Sequence, residues 1–178
     1  DDMIVMKFGG TSVANFEAIT RTIFIIGGKL DQKPVVVVSA LSKITDLLYA
    51  ISDAALSQDV VATNEHLSQL RKRHVDLTEE LLAQSVLKDE AVAKVNELCD
   101  RLDEIAHAVC SLGELSDKNK AVIISMGEYL SSTIIAYAMN AKGIKTRWVD
   151  SRTMMITNNS YLKAEPVIDL IAEKTPEV

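Results

Sequence analysis

Apolar residues recur along this chain with distinct periods, and each period predicts a different element. Ile4-Val5-Met6 and Val35-Val36-Val37-Val38 are short continuous runs, the second wholly β-branched. Such runs predict strands covered on both faces of a parallel sheet. The first strand is expected over residues 3–8. Between the runs, Phe16, Ile19, Ile23 and Ile26 recur at three- and four-residue spacing, which predicts a helix over residues 13–26 that stops at Gly27-Gly28. Asp31-Gln32-Lys33-Pro34 reads as a turn, and a second helix is expected from about Ile44 to Leu56. Two strand–loop–helix units in succession predict a βαβ arrangement with a right-handed crossover.

The middle of the chain changes period. Leu67, Leu70, His74, Leu77 and Leu81 are spaced three, four, three, four, and Ala91, Val95, Leu98, Leu102, Ile105, Val109 and Leu112 are spaced four, three throughout. These are narrow seams on charged helices with a break near residues 85–88, which predicts an antiparallel helical hairpin with coiled-coil-type packing. A free-standing partner-binding helix is the alternative. Ala121-Val122-Ile123-Ile124 alone resembles a strand, but Ser116 upstream and apolar positions through Leu130, Ile134, Ile135 and Ala138 favour one long helix ending at Gly143. Thr146-Arg147-Trp148-Val149-Asp150 is expected to be a third strand, and Glu165-Pro166 to open a last helix.

Composition narrows the class. A chain of 178 residues suits one domain with a real core, and 48% hydrophobic with 25% charged residues is ordinary for a soluble protein. Net charge −6 offers no basic footprint, so neither nucleic acid nor an anionic membrane is expected as a partner. The apolar runs are shorter than a membrane span, and the amino end lacks a signal-peptide layout. The chain begins Asp1-Asp2-Met3, and the native start is expected upstream or at Met3. Cys99 and Cys110 lie about three helical turns apart on one helix face, too far to bridge, and are expected to be reduced core residues of a cytoplasmic protein. His66, His74 and His107 are scattered and propose no metal site; His74 lies on an apolar seam as a packed, hydrogen-bonded residue.

Candidate chemistry concentrates where strands end. Lys7 closes the first strand and is followed by Phe8, Gly9, Gly10, Thr11 and Ser12. Glycines without a Cβ let backbone N–H groups approach phosphate oxygens and permit φ > 0, and the following helix points its positive end at the same spot. A tight βα turn with a snorkelling lysine fits the same spacing. Ser39 and Thr45 flank the next strand end, either as ligand-binding hydroxyls or as caps of the second helix. Glu128 follows Gly127 among Met126, Leu130, Ile134 and Ile135. It is either a solvated face residue or a carboxylate in packed surroundings that needs a cationic partner such as a substrate ammonium.

The run Ile4-Val5-Met6-Lys7-Phe8-Gly9-Gly10-Thr11-Ser12-Val13-Ala14 resembles the opening signature of aspartate kinases, within the wider amino-acid-kinase family. Val37-Val38-Ser39-Ala40 with Ile44-Thr45-Asp46-Leu47-Leu48 resembles a second motif of that family, and Gly127-Glu128-Tyr129-Leu130-Ser131-Ser132 its Gly-Glu-x-x-Ser block. Ile156-Thr157-Asn158-Asn159 with Ala164-Glu165-Pro166 is most similar to the monofunctional, lysine-regulated subgroup, departing at Asn159 and Tyr161-Leu162.

The resemblance implies an α/β fold: an open, mainly parallel sheet with flanking helices, incomplete, plus an inserted antiparallel helical hairpin over about residues 60–113. It implies the amino-terminal portion of a kinase domain, with the nucleotide-binding half and regulatory domains beyond residue 178, and hence weak ATP binding by this portion alone. It implies ATP-dependent phosphorylation of the β-carboxylate of L-aspartate, with Mg²⁺ accompanying ATP, in a full-length enzyme that is a homo-oligomer. Lys7 would contact the transferring phosphate as the catalytic residue. Phe8, Gly9 and Gly10 would line the ATP phosphate site with Lys7, and Ser39, Thr45 and Glu128 would hold aspartate. A carboxylate nucleophile with a reference pKa of about 3.9 is already ionised at neutral pH, so no general base is required. The alternatives are an acetylglutamate- or carbamate-kinase type of enzyme, which would lack the Thr11-Ser12 continuation and the Gly-Glu-x-x-Ser helix, or a non-catalytic assembly module.

Overall fold

The computed structural model describes residues 3–151. Two parallel strands, β1 (Val5–Phe8) and β2 (Val35–Val38), pair in register from Val5 beside Val35 to Phe8 beside Val38. Helix α1 (Phe16–Gly27) connects them, as a parallel pair requires a crossover. After β2 come α2 (Ile44–Leu56), α3 (Val60–Leu81), α4 (Lys88–Leu112) and α5 (Asp117–Ala141). The chain is therefore α/β, with helices dominant among the described residues.

Sequence patterning locates these elements to within a turn, with three differences. Helix α1 starts three residues later than expected, because residues 10–13 form a turn of 3-10 helix and Asn15 is the cap, its Oδ1 accepting from the Ala18 N–H at 3.0 Å. The strands are not covered on both faces: Met6, Phe8, Val36 and Val38 pack on the core, while Val5 and Val37 are 68% and 44% exposed. A β-branched run dictates extended backbone, but covering it needs further elements, and the described helices leave the Val5, Lys7, Val35 and Val37 face open.

The third difference is residues 144–150, which form no strand among the described residues. Their burial alternates as in extended backbone, but the segment meets α5 rather than a strand edge. The Asn140 side chain bonds both the N–H and the C=O of Thr146, and the Trp148 indole N–H donates to Ser132 Oγ at 2.8 Å while its ring tilts against Tyr129. Period-2 alternation cannot distinguish a ladder partner from a helix face. The expected helix at Glu165-Pro166 and the motif over residues 156–166 lie outside the described residues.

Helices α3 and α4 run antiparallel: Asn64 meets His107, while Arg71 meets Asn96, Asp100 and Asp103 on the opposite helix. The α4 stripe is broader than a coiled-coil seam. Cys99, Ala106 and Cys110 are buried beside Val95, Leu98 and Leu102, whereas Ile105 is half-buried and Leu112 is 74% exposed. The reason is that α4 packs against α2 and α5 as well as α3. Both cysteines are unbridged, and burial pushes the Cys99 thiol up to about 11. Helix α5 touches α1, α2, α3, α4 and β2. By length and composition alone it could cross a membrane, yet Ile123, Leu130, Ile134 and Ala138 are wholly buried, and it serves as the core helix of this fold.

His74 is fully buried between these helices. Its Nδ1 lies 2.8 Å from the Leu70 backbone oxygen, an acceptor, so Nδ1 carries the proton and donates. Nε2 is then a bare lone pair with no hydrogen-bond partner. Burial lowers the imidazole pKa to about 4 from an ordinary 6.5, with Arg73 opposing the charged form as well. Because the folded pKa is depressed, the unfolded chain binds the proton first as pH falls. The stability contributed by neutral His74 is present above pH 6.5 and is lost as pH drops towards 4, a change on the order of 3 kcal/mol. Urea unfolding across this range should show a steeper acid limb for the native sequence than for His74→Leu; parallel limbs would contradict the assignment.

Candidate active site

Lys7 sits on the open face of β1, paired beside Val37, and is exposed without a hydrogen-bond or ion-pair partner among the described residues. The strand ends at Phe8, whose backbone oxygen accepts from the Ser39 N–H at 3.0 Å, tying the two strand ends together. Gly9 is extended (φ −79°, ψ 174°), and Gly10 does not adopt positive φ. Neither glycine uses the left-handed conformation that the sequence allowed, and of the two only Gly10 serves a close approach. A Cβ on Gly10 would lie 3.3 Å from the Ala40 oxygen and 3.7 Å from Ser42 Cα, so this glycine lets the first loop nest against the second. A Cβ on Gly9 would meet nothing within 4 Å, which leaves open space beside the Lys7 strand end.

The β2–α2 loop follows. Ala40 and Leu41 are buried, Ser39 is half-buried and Thr45 is exposed in the first turn of α2. The expectation that Ser39 or Thr45 caps α2 does not hold. The cap position is Lys43, in the left-handed region at φ 65°, with no side-chain cap bond. Among the described residues neither the Ser39 nor the Thr45 hydroxyl enters a hydrogen bond, so both are free for a ligand.

Helix α5 completes the arrangement. Gly127 is buried where a Cβ would lie 2.7 Å from Ala40 Cβ and 3.1 Å from Leu48 Cδ1. One turn on, the fully buried Ser131 donates to the Ser39 backbone oxygen at 2.8 Å. Glu128 is exposed, so of its two alternatives the solvated face position holds rather than the packed one. Met126, Leu130, Ile134 and Ile135 are buried, but Glu128 lies about 100° around the helix from Gly127 and faces outward.

The structure therefore brings the Lys7–Gly10 segment, the Ser39–Thr45 loop and the Glu128 turn together around Ala40. Pattern reading missed the contacts that do this, namely Gly10 on Ala40, Gly127 on Ala40 and Ser131 on Ser39. The one available signal was a glycine inside a helix, which usually has a packing reason. The unpartnered Lys7 ammonium and the opening at Gly9 suit the phosphate end of a nucleotide. Among the described residues there is no group of three or more His, Cys, Asp or Glu that could hold a metal ion.

Known proteins resemble this chain over nearly its whole length. Aspartokinase 3 of Arabidopsis thaliana, a chloroplast protein, is 31% identical over 90% of this chain and 28% of its own length. The lysine-sensitive aspartokinase 3 of Escherichia coli K12 is 29% identical over 97% of this chain and 36% of its own. Among solved structures, E. coli aspartokinase III superposes with a TM-score of 0.89 in complex with lysine and aspartate and 0.87 in complex with aspartate and ADP. Each is 26% identical and covers 99% of this chain, against 38% and 37% of the solved chain. The chain thus spans about a third of the length of these relatives. The sequence profile of the amino acid kinase family matches residues 2–176, and the chain belongs to that family.

Proposed function

We propose that this chain is the amino-terminal portion of the kinase domain of an aspartate kinase. The enzyme would transfer the γ-phosphoryl group of ATP to the β-carboxylate of L-aspartate, giving 4-phospho-aspartate, the first step towards lysine, threonine and methionine. The observation that carries the reading is the convergence of an unpartnered Lys7, the opening at Gly9 and the free hydroxyls of Ser39 and Thr45 on one end of the sheet. Support comes from a solved relative that holds aspartate and ADP.

In this reading Lys7 places its ammonium against the transferring phosphoryl group, opposing charge that grows on its oxygens in the transition state. Phe8, Gly9 and Gly10 line the phosphates, with backbone N–H groups as donors. The Ser39 and Thr45 hydroxyls donate to the carboxylates of aspartate, and Glu128 accepts from its α-ammonium. A β-carboxylate oxygen forms a bond to the γ-phosphorus as the bond to the bridging oxygen of ADP breaks, and ADP leaves with that electron pair. No proton is removed from the nucleophile, so the site needs no general base. Mg²⁺ is expected to arrive with ATP, while the neutralisation assigned to this chain is that of Lys7 and the N–H groups.

The test is a substrate screen on the full-length protein with acyl phosphate trapped by hydroxylamine. L-Aspartate should give hydroxamate in an ATP-dependent manner, while acetylglutamate and carbamate should give no turnover. Turnover of either of the last two without aspartate would overturn the reading.

A further inference from the structure

We propose that Ser131 is a positioning residue for the amino-acid substrate: its buried hydroxyl, donating to the Ser39 backbone oxygen, holds the loop that carries Ser39 and Thr45 against the helix that carries Glu128. The inference rests on the aspartate reading above and adds to it a residue that would not touch the substrate.

Serine hydroxyls inside helices normally satisfy themselves on a carbonyl three or four residues back. In this molecule Ser52 donates to the Leu48 oxygen, Ser125 to that of Val122 and Ser132 to that of Tyr129. Ser131 departs from this pattern. Its contact with the Glu128 oxygen in its own helix is 3.3 Å, whereas the bond leaving the helix to the Ser39 oxygen is 2.8 Å. A serine has one hydroxyl proton, and the shorter contact takes it. The side chain is fully buried, so water does not substitute for it.

The consequence falls on Ser39. Its N–H donates to the Phe8 oxygen, at the end of the strand that carries Lys7. Its C=O accepts from Ser131, on the helix turn that carries Glu128. Its own hydroxyl has no partner among the described residues. Both backbone groups of Ser39 are thus anchored, one to each neighbouring part of the site, and only the side chain is left for a ligand. Gly127, one turn before Ser131 on the same helix face, permits the close approach that the bond needs.

The test uses the full-length protein with Ser131→Ala, Ser131→Thr and, as a control, Ser132→Ala. Ser131→Ala should raise KM for L-aspartate about tenfold while leaving KM for ATP within about twofold. Amide hydrogen exchange over residues 39–45 should accelerate in the same variant, with exchange in α3 and α4 unchanged. Ser131→Thr, which keeps the hydroxyl, should restore most of both, and Ser132→Ala should change neither. A fall in kcat at unchanged aspartate KM, or unchanged exchange over residues 39–45, would overturn the proposal. The exchange measurement needs no substrate. A protein that fails to phosphorylate aspartate but shows the exchange change would sink the functional reading and leave the Ser131 clamp standing.

Discussion

Replacing Lys7 with alanine in the full-length protein is expected to lower kcat by about three orders of magnitude. The reason is electrostatic. In the proposed reaction, phosphoryl transfer to a carboxylate would bring two anions together, and positioning with charge neutralisation would be nearly all the protein could contribute. Lys7 is the cation that the described residues place at the strand end beside the Gly9 opening. Its removal should cost little stability, within about 0.5 kcal/mol, because the side chain is exposed and makes no bond among the described residues. Steady-state kinetics paired with thermal unfolding separate the two effects. Lys7→Arg should recover part of the rate, since charge is kept but the planar guanidinium needs different geometry. Normal turnover in Lys7→Ala would end the assignment of this segment as a phosphate site.

Gly127→Ala should be destabilising by about 1–3 kcal/mol, the reverse of what an exposed helical glycine would show. In an open helix the same change gains roughly 1 kcal/mol from propensity. Here the added methyl would stand 2.7 Å from Ala40 Cβ, closer than two carbons can pack, so α5 or the β2–α2 loop must shift. Ala40 has no flexible side chain with which to yield. The displaced loop carries Ser39 and Thr45, and on the proposed aspartate reading KM for aspartate should rise in the full-length protein along with the loss of stability. Urea unfolding with Ala40→Gly in the same background offers the internal check, because removing the opposing methyl should recover most of the lost stability. A stabilised Gly127→Ala protein would mean that the close approach is not built as described.

Much of the architecture was legible because it is local. The continuous β-branched run, the three-and-four spacing of Phe16, Ile19, Ile23 and Ile26, and the seams of α3 and α4 each report a periodicity that backbone geometry imposes wherever the segment sits. Caps were partly legible for the same reason: Ser116 accepts from the Asn119 N–H, as the start of α5 required. The strand expected over residues 146–150 does not form among the described residues because this segment satisfies its polar groups on Asn140 and Ser132 of α5 instead of on a strand edge. The open sheet face was misread because continuous hydrophobicity reports what a surface prefers, not what covers it. Sequence left Glu128 open between a solvated and a packed position, because apolar neighbours in sequence can point elsewhere on the helix, and the fold places it on the exposed side.

By itself, the sequence determined the types and nearly all the boundaries of the described helices and strands, and it marked Lys7, Gly9, Gly10, Ser39, Thr45 and Glu128 as the residues that could carry chemistry. Only the tertiary structure decided how they are joined: Gly10 and Gly127 closing on Ala40 from two sides, and Ser39 held at both backbone groups by Phe8 and Ser131. Spacing along a chain encodes local geometry at separations of a few residues. The Ser39–Ser131 bond spans 92 positions, and a contact at that distance exists only once the whole core has packed.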